Sequence, residues 1–159
     1  MIRPTKAEDT PTLLRLTEAT GVFKPHEVVA LNEVLDDYHA AGHAAGHRSV
    51  TLEEHGVIVG FAYYAPAAMT DRTWYLYWIA VVKGRQGGGQ GSRLLRHVED
   101  DARAQGARLL FIETSSLPHY EPTRRFYLKH GYENAAALRD YYADGDDMVV
   151  FRKRLQDGS

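Results

Sequence analysis

Apolar residues change their spacing several times along the chain, and each change marks an element. Ile2-Arg3-Pro4 is a short first strand. Thr10-Pro11 predicts a helix start, with Thr10 as N-cap, because proline at the first helical position gives up only an N–H that has no partner there. Leu13, Leu14, Leu16 and Ala19 follow on that helix. Pro25 opens a second helix, on which Val28, Leu31, Val34, Leu35 and Tyr38 recur at helical spacing. Ser49 to Glu54 and Val57 to Tyr64 predict a hairpin turning at His55-Gly56. Trp74 to Val82 is a continuous apolar and aromatic run, the pattern of a strand buried on both faces. A glycine cluster follows, then a helix carrying Leu94, Leu95, Val98 and Ala102 on one face and ending at Gly106 as its C′ residue. Leu109 to Ile112 is another buried strand, Pro122 opens a short helix ending at Gly131, and strands near Tyr132–Leu138 and Met148–Leu155 flank the turn Asp144-Gly145. The order is strand, two helices, three strands, helix, strand, helix, two strands. That is a mixed α/β arrangement with an antiparallel first half.

The 159 residues suit a single domain spanning 1–159, with no repeat or linker to divide it. Net charge is −2, which gives no electrostatic case for nucleic acid or an anionic membrane as partner. The chain has no cysteine, so disulfides, thiolate metal sites and a cysteine nucleophile are excluded. The opening residues turn polar at the third position, unlike a signal peptide, and no window approaches the ~20 apolar residues of a membrane span. A soluble, cytoplasmic protein is the expectation.

The segment Gln86-Gly87-Gly88-Gly89-Gln90-Gly91-Ser92 joins a buried strand to an amphipathic helix. Glycines reach positive φ, so successive amides can point into one concavity, and a helix start adds positive potential. Together they predict a phosphate or pyrophosphate site. No lysine stands where a P-loop needs one, and Gly87-x-Gly89-x-x-Ser92 meets a dinucleotide fingerprint only loosely. His39, His43 and His47 lie four apart, but Gly42 and Gly46 weaken a helix there and no carboxylate completes a metal set, so no metal is expected. Arg152-Lys153-Arg154 is too short for a nucleic-acid footprint and reads as the polar end of an edge strand.

The glycine cluster resembles motif A of the GNAT superfamily of N-acetyltransferases, [Gln/Arg]-x-x-Gly-x-[Gly/Ala], with Gln86, Gly89 and Gly91 at its defining positions. Ile79-Ala80-Val81 resembles the end of the family's fourth strand, and Phe126-Tyr127-Leu128-Lys129-His130-Gly131-Tyr132 its motif B. Ile2-Arg3-Pro4-Thr5 with Glu8-Asp9, and Val59-Gly60-Phe61-Ala62, resemble the family's opening and third strand, so the resemblance covers nearly the whole chain. It implies a mostly antiparallel sheet of about six to seven strands flanked by about four helices. It also implies direct acetyl transfer from acetyl-CoA to an amine within a ternary complex, with no metal. On the same resemblance, the backbones of Ile79, Ala80 and Val81 bind the pantetheine arm, the Ile79 N–H polarises the thioester carbonyl, and Gly87, Gly88, Gly89, Gln90, Gly91 and Ser92, with Gln86, hold the pyrophosphate. Tyr127 falls at the family's general-acid tyrosine. Arg124 and Arg125 precede Phe126 on the motif B helix, where one is expected to reach a CoA phosphate and the other to be solvated.

Two features of the family's pattern are missing. The strand Trp74-Tyr75-Leu76-Tyr77-Trp78 carries no glutamate base, and Tyr120 stands near the position of a frequent asparagine. Deprotonation then falls to Glu113, His119 or ordered water; burial of Glu113 at the end of its strand would raise its pKa usefully. The acceptor is a small molecule or a free amine on a peptide, the former favoured by so minimal a chain. Phe23, Tyr38, Tyr63, Tyr64, Tyr75, Tyr77 and Trp78 offer aromatic walls, and Glu33, Asp36 and Asp37 a cation-attracting run. The alternative is a non-catalytic acetyl-CoA-binding sensor. Homodimers are common in the family, and no residue here demands or forbids one.

Overall fold

The computed structural model describes residues 1–84 and 88–156, with the backbone alone at 43 and 44. Gln86 and Gly87 lie outside the described residues, as does the His43 side chain. Seven strands, mostly antiparallel, and four α-helices occur in the expected order. They divide into two compact units, Met1–Pro66 with Leu76–Asp101, and Ala67–Tyr75 with Ala102–Ser159.

In the first unit the strand order is β1 (Ile2–Pro4), β2 (Arg48–Glu54), β3 (Val57–Pro66) and β4 (Thr73–Val81), the last straddling the division. β1 and β3 both run antiparallel to β2. His55 at φ 52° and Gly56 at φ 76° make the predicted tight turn between β2 and β3, whose mirror-image geometry follows the twist of the strands it joins. β3 is buried on both faces. Phe61 and Tyr63 pack into one core with Leu13 and Leu16 of α1 (Thr10–Ala19) and Leu31, Leu35 and Tyr38 of α2 (Pro25–Ala40). The alternate residues Gly60 and Tyr64 meet α3 (Gln90–Ala104) instead.

The first helix starts one residue earlier than its proline suggests. A 3-10 turn over Ala7–Asp9 leads into it, so Thr10 is already helical and Asp9 takes the cap position. Asp9 is fixed there by the Arg3 guanidinium at 2.7 and 3.1 Å and by the Lys6 N–H at 2.8 Å. Ala19 lies exposed, outside the buried face of Leu13, Leu16 and Thr17.

In the second unit β5 (Leu109–Ser115) pairs antiparallel with β7 (Asp146–Arg154), and β7 with β6 (Glu133–Ala143). α4 (Glu121–Lys129) opens one residue before its proline. Gly106 at φ 92°, Gly131 at φ 89° and Gly145 at φ 81° close α3, close α4 and turn β6 into β7, as their sequence positions require. β6 runs five residues beyond the predicted Leu138 and is exposed along its whole length. Its strand character comes from pairing with β7, since little of its own surface is buried. Among the described residues, no helix is long and apolar enough to cross a membrane.

Candidate functional site

Two features of the first unit define a site. One is the start of α3. Gly89 takes φ 88°, a conformation that side chains resist, and open space surrounds the position its Cβ would occupy. The helix ladder begins with the Arg93 N–H on the Gly89 carbonyl at 3.0 Å. The amides of Gln90, Gly91 and Ser92 therefore precede the ladder, at the positively polarised end of a 15-residue helix. Gly88 and Gly89 are exposed, and Gln90, Gly91 and Ser92 are half-buried. A diphosphate would find room at Gly89 and a favourable dipole there. Gln90 and Arg93 both also reach Glu54 at the end of β2, each at 3.3 Å, which steadies the helix start from one side.

The start of α3 is held against β4 by an absent side chain. A Cβ on Gly60 would lie 2.9 Å from Leu94 Cδ1 and 3.0 Å from the Ala80 carbonyl oxygen. Gly60 thus brings the first turn of α3, at Leu94, and the end of β4, at Ala80, into one neighbourhood. On β4, Ala80 and Val81 are buried and Ile79 is half-buried, and the Val82 N–H bonds the Val59 carbonyl at 2.8 Å. The signal for Gly60 was present in the sequence as a lone glycine inside a strand pattern, which marks close approach by a neighbour.

The second feature is a cavity of about 410 Å³ lined by Val34, Asp37 and Tyr38 of α2, Ala41, Gly42, Ala45 and His47 of the following loop, Tyr63 of β3, and Tyr77 and Trp78 of β4. Four of the seven aromatic residues proposed from sequence are here. Of the others, Phe23 packs behind Trp78 with ring centroids 5.4 Å apart. Tyr64 points to α3, where its hydroxyl donates to Asp101 at 2.6 Å. Tyr75 stacks on Phe111 in the second unit. Of the acidic run, Asp37 lines the cavity. Tyr63 is nearly fully buried, with its hydroxyl 2.6 Å from His47 Nδ1 and its ring edge-on to Tyr38. Burial first, then the nearby Tyr38, Tyr77 and Asp37, push the Tyr63 pKa up to about 12, so it is a neutral phenol across the physiological range.

The histidine spacing does not lie on one helical face, because α2 ends at Ala40 and a 3-10 turn over Gly42–Ala45 follows. His39 is packed edge-on to Tyr38 with its Nε2 buried, whereas His47 faces the cavity. The sequence registered His47 only as a metal candidate and missed its pairing with Tyr63.

The three catalytic candidates, Tyr127, Glu113 and His119, all lie in the second unit. Tyr127 on α4 is 3% exposed and packs against Phe126, Tyr132 and Phe151 with centroids 5.5–5.9 Å apart. Burial raises its pKa well above that of an ordinary phenol, so it keeps its proton. Glu113 sits within β5 rather than at its end and its side is exposed, yet partial desolvation still lifts its carboxyl above the usual range. His119 is exposed on a 3-10 turn over Pro118–Tyr120, its ring 4.6 Å from that of the buried Tyr120. Arg124 donates to the main-chain carbonyls of Ser115 and Leu117 at 2.7 and 3.0 Å, tying α4 to the end of β5, and Arg125 faces Glu121 across one helical turn.

Comparison with known families matches residues 13–132 to the Acetyltransferase (GNAT) family. A curated amino-acid acetyltransferase of Ralstonia nicotianae is 28% identical over 143 residues, covering 90% of this chain and 26% of the relative. The chain thus spans about a quarter of that relative's length. A crystal structure from Desulfovibrio desulfuricans, described as a GNAT-family acetyltransferase, is 38% identical, with a TM-score of 0.93 over 98% of this chain and 99% of that one. An acetyltransferase structure from Salmonella typhimurium, solved with acetyl-CoA, has a TM-score of 0.81 at 20% identity, covering 100% and 95% of the two chains, and shares the fold.

Proposed function

The chain belongs to the acetyltransferase (GNAT) family, and from that premise we propose that it transfers an acetyl group from acetyl-CoA to a primary amine, as a single cytoplasmic domain. The observation that carries the reading is the glycine-opened start of α3 locked beside the end of β4 through Gly60. Acetyl-CoA bound there supplies an activated acyl carbon and a thiolate leaving group. The amides of Gly88 to Ser92, with Gln86 and Gly87, hold its diphosphate, and the main chain of Ile79, Ala80 and Val81 aligns its arm. The fold shared with a structure solved with acetyl-CoA supports the same choice of co-substrate.

The reaction places three demands on the chain. The ammonium must lose a proton before nitrogen can attack, the carbonyl oxygen gains charge as the bond forms, and the thiolate must be protonated as it leaves. The Ile79 N–H is assigned to the second and Tyr127, a protonated phenol, to the third. The first falls to Glu113, whose carboxyl pKa desolvation raises, to His119 or to ordered water.

Thermal unfolding with and without acetyl-CoA tests the binding site. At a hundred times Kd the ligand adds about 2.7 kcal/mol, and the absence of any shift refutes the reading. Thiol release across a panel of amines then tests catalysis; binding without thiol release identifies a sensor instead. Tyr127→Phe is expected to lower kcat by roughly 10²-fold or more while leaving acetyl-CoA affinity within twofold. Unchanged turnover removes Tyr127 from the mechanism.

A further inference from the structure

The cavity lined by Asp37, His47 and four aromatic rings has a composition that discriminates among amines. Its walls are Tyr38, Tyr63, Tyr77 and Trp78, with Val34 and small residues between them. Its charged lining group is the Asp37 carboxylate, and among the described residues that line it there is no lysine or arginine. We propose that this cavity is the acceptor pocket and that it selects a protonated amine carried on a compact apolar or aromatic body without a carboxylate. This rests on the acetyltransferase reading and narrows its substrate class.

Three physical terms converge on that choice. An ammonium is drawn both to a carboxylate and to the faces of Tyr and Trp rings, and the attraction grows as water is excluded. An apolar body gains by leaving water for a pocket walled by rings, and about 410 Å³ lies at the small end of small-molecule sites. A substrate carboxylate, in contrast, would meet the Asp37 carboxylate with no lysine or arginine among the described lining residues to receive it, which works against its entry. α-Amino acids and acidic substrates are thereby disfavoured, even though a sequence relative is an amino-acid acetyltransferase.

The aromatic walls are preorganised. Tyr63 is clamped by His47 at 2.6 Å and by the edge of Tyr38, with centroids 5.8 Å apart, and Tyr77 stands 6.4 Å beyond it. Phe23 backs Trp78. Tyr77, 49% exposed, forms part of the rim. Rings held in this way lose little freedom when a ligand arrives, so their contact is retained as affinity. In the transfer itself the ammonium releases one proton before attack, the nitrogen–carbon bond forms as the carbon–sulfur bond breaks, and the second proton balances the departing thiolate.

The experiment uses the full chain and two independent readouts. Trp78 fluorescence, titrated with 2-phenylethylamine, cyclohexylmethylamine and glutamate in the absence of acetyl-CoA, reports occupancy of the cavity whether or not transfer occurs. Thiol release with the same amines reports turnover. The expected result is saturable quenching by the first two amines and not by glutamate, with kcat/KM at least tenfold higher for them. Asp37→Asn should weaken amine binding by about fivefold or more and raise KM with little change in kcat. Trp78→Phe should remove most of the quenching and also raise KM for the two apolar amines, because one aromatic wall is altered. A preference for glutamate, or no binding of either apolar amine to the folded protein, overturns the proposal. Loss of acetyl-CoA stabilisation with amine quenching intact overturns the acetyl-transfer reading instead and leaves the amine pocket standing.

Discussion

Replacing Gly60 by alanine tests whether the α3–β4 junction is as tight as it looks. The new Cβ meets Leu94 Cδ1 at 2.9 Å and the Ala80 carbonyl at 3.0 Å. Leu94 is fully buried, and the carbonyl is main chain within a strand, so neither yields freely. Inserting a methyl into such a contact costs about 1–3 kcal/mol. Alanine also narrows the unfolded ensemble and returns about 0.4–1 kcal/mol. The net is a destabilisation of up to about 2.6 kcal/mol, which at roughly 2–4 °C per kcal/mol for a chain of this size lowers Tm by up to roughly 10 °C. The strain falls on the two elements assigned to acetyl-CoA, so the ligand-induced rise in Tm should shrink as well. Calorimetry with and without acetyl-CoA measures both quantities. An unchanged Tm would show that the junction relaxes at no cost. A lowered Tm with the full acetyl-CoA shift would show that Gly60 serves packing alone and does not set the cofactor site.

Three further outcomes follow from buried polar contacts and shifted groups. Tyr64→Phe removes the hydroxyl that donates to Asp101 at 2.6 Å, a charge-assisted bond that Arg48 also faces at 3.3 Å, and should cost about 1.5–3 kcal/mol in urea unfolding; a loss under ~0.5 kcal/mol refutes the assignment. At Asp9, burial raises the pKa, but the Arg3 hydrogen bond, the Lys6 amide and their charges outweigh it, so the folded value lies below the ordinary one. A depressed folded pKa gives stability that is fully present above the unfolded value near ~3.9 and is lost as pH falls through the folded one. Asp9→Asn should lower stability at neutral pH by about 1–3 kcal/mol and flatten its acid dependence, and an unaltered acid limb counts against it. Glu113 has a raised pKa, so a base role predicts activity falling as pH drops through that value, and Glu113→Gln should abolish that limb of the kcat/KM profile whereas His119→Asn preserves it.

The parts of this protein that were legible in its sequence are those written in local code. Gly106, Gly131 and Gly145 mark their ends and turns because a positive φ is a property of one residue. The face of α3 carrying Leu94, Leu95, Val98 and Ala102 is readable because periodicity is local, and all four residues are buried. β6 was only half visible. Its last residues, among them Asp140 at φ 56° and the exposed Tyr141 and Tyr142, carry no alternation, and their place in a strand depends on pairing with β7. The same division runs through the site. The cofactor loop is a contiguous run of seven residues and announces itself as letters. The acceptor cavity draws on α2, a loop, β3 and β4, and no spacing rule connects Asp37 to His47 to Tyr63 to Trp78. His47 shows the consequence most clearly. Read along the chain, it is one of three histidines four apart; in the fold, α2 stops at Ala40 and its ring turns to the Tyr63 hydroxyl. A shared co-substrate can be read from a contiguous local loop, whereas the acceptor is chosen by side chains that meet only after folding. The chemistry of the thioester was therefore within reach of the sequence, and the preference for a cationic, apolar amine required the cavity.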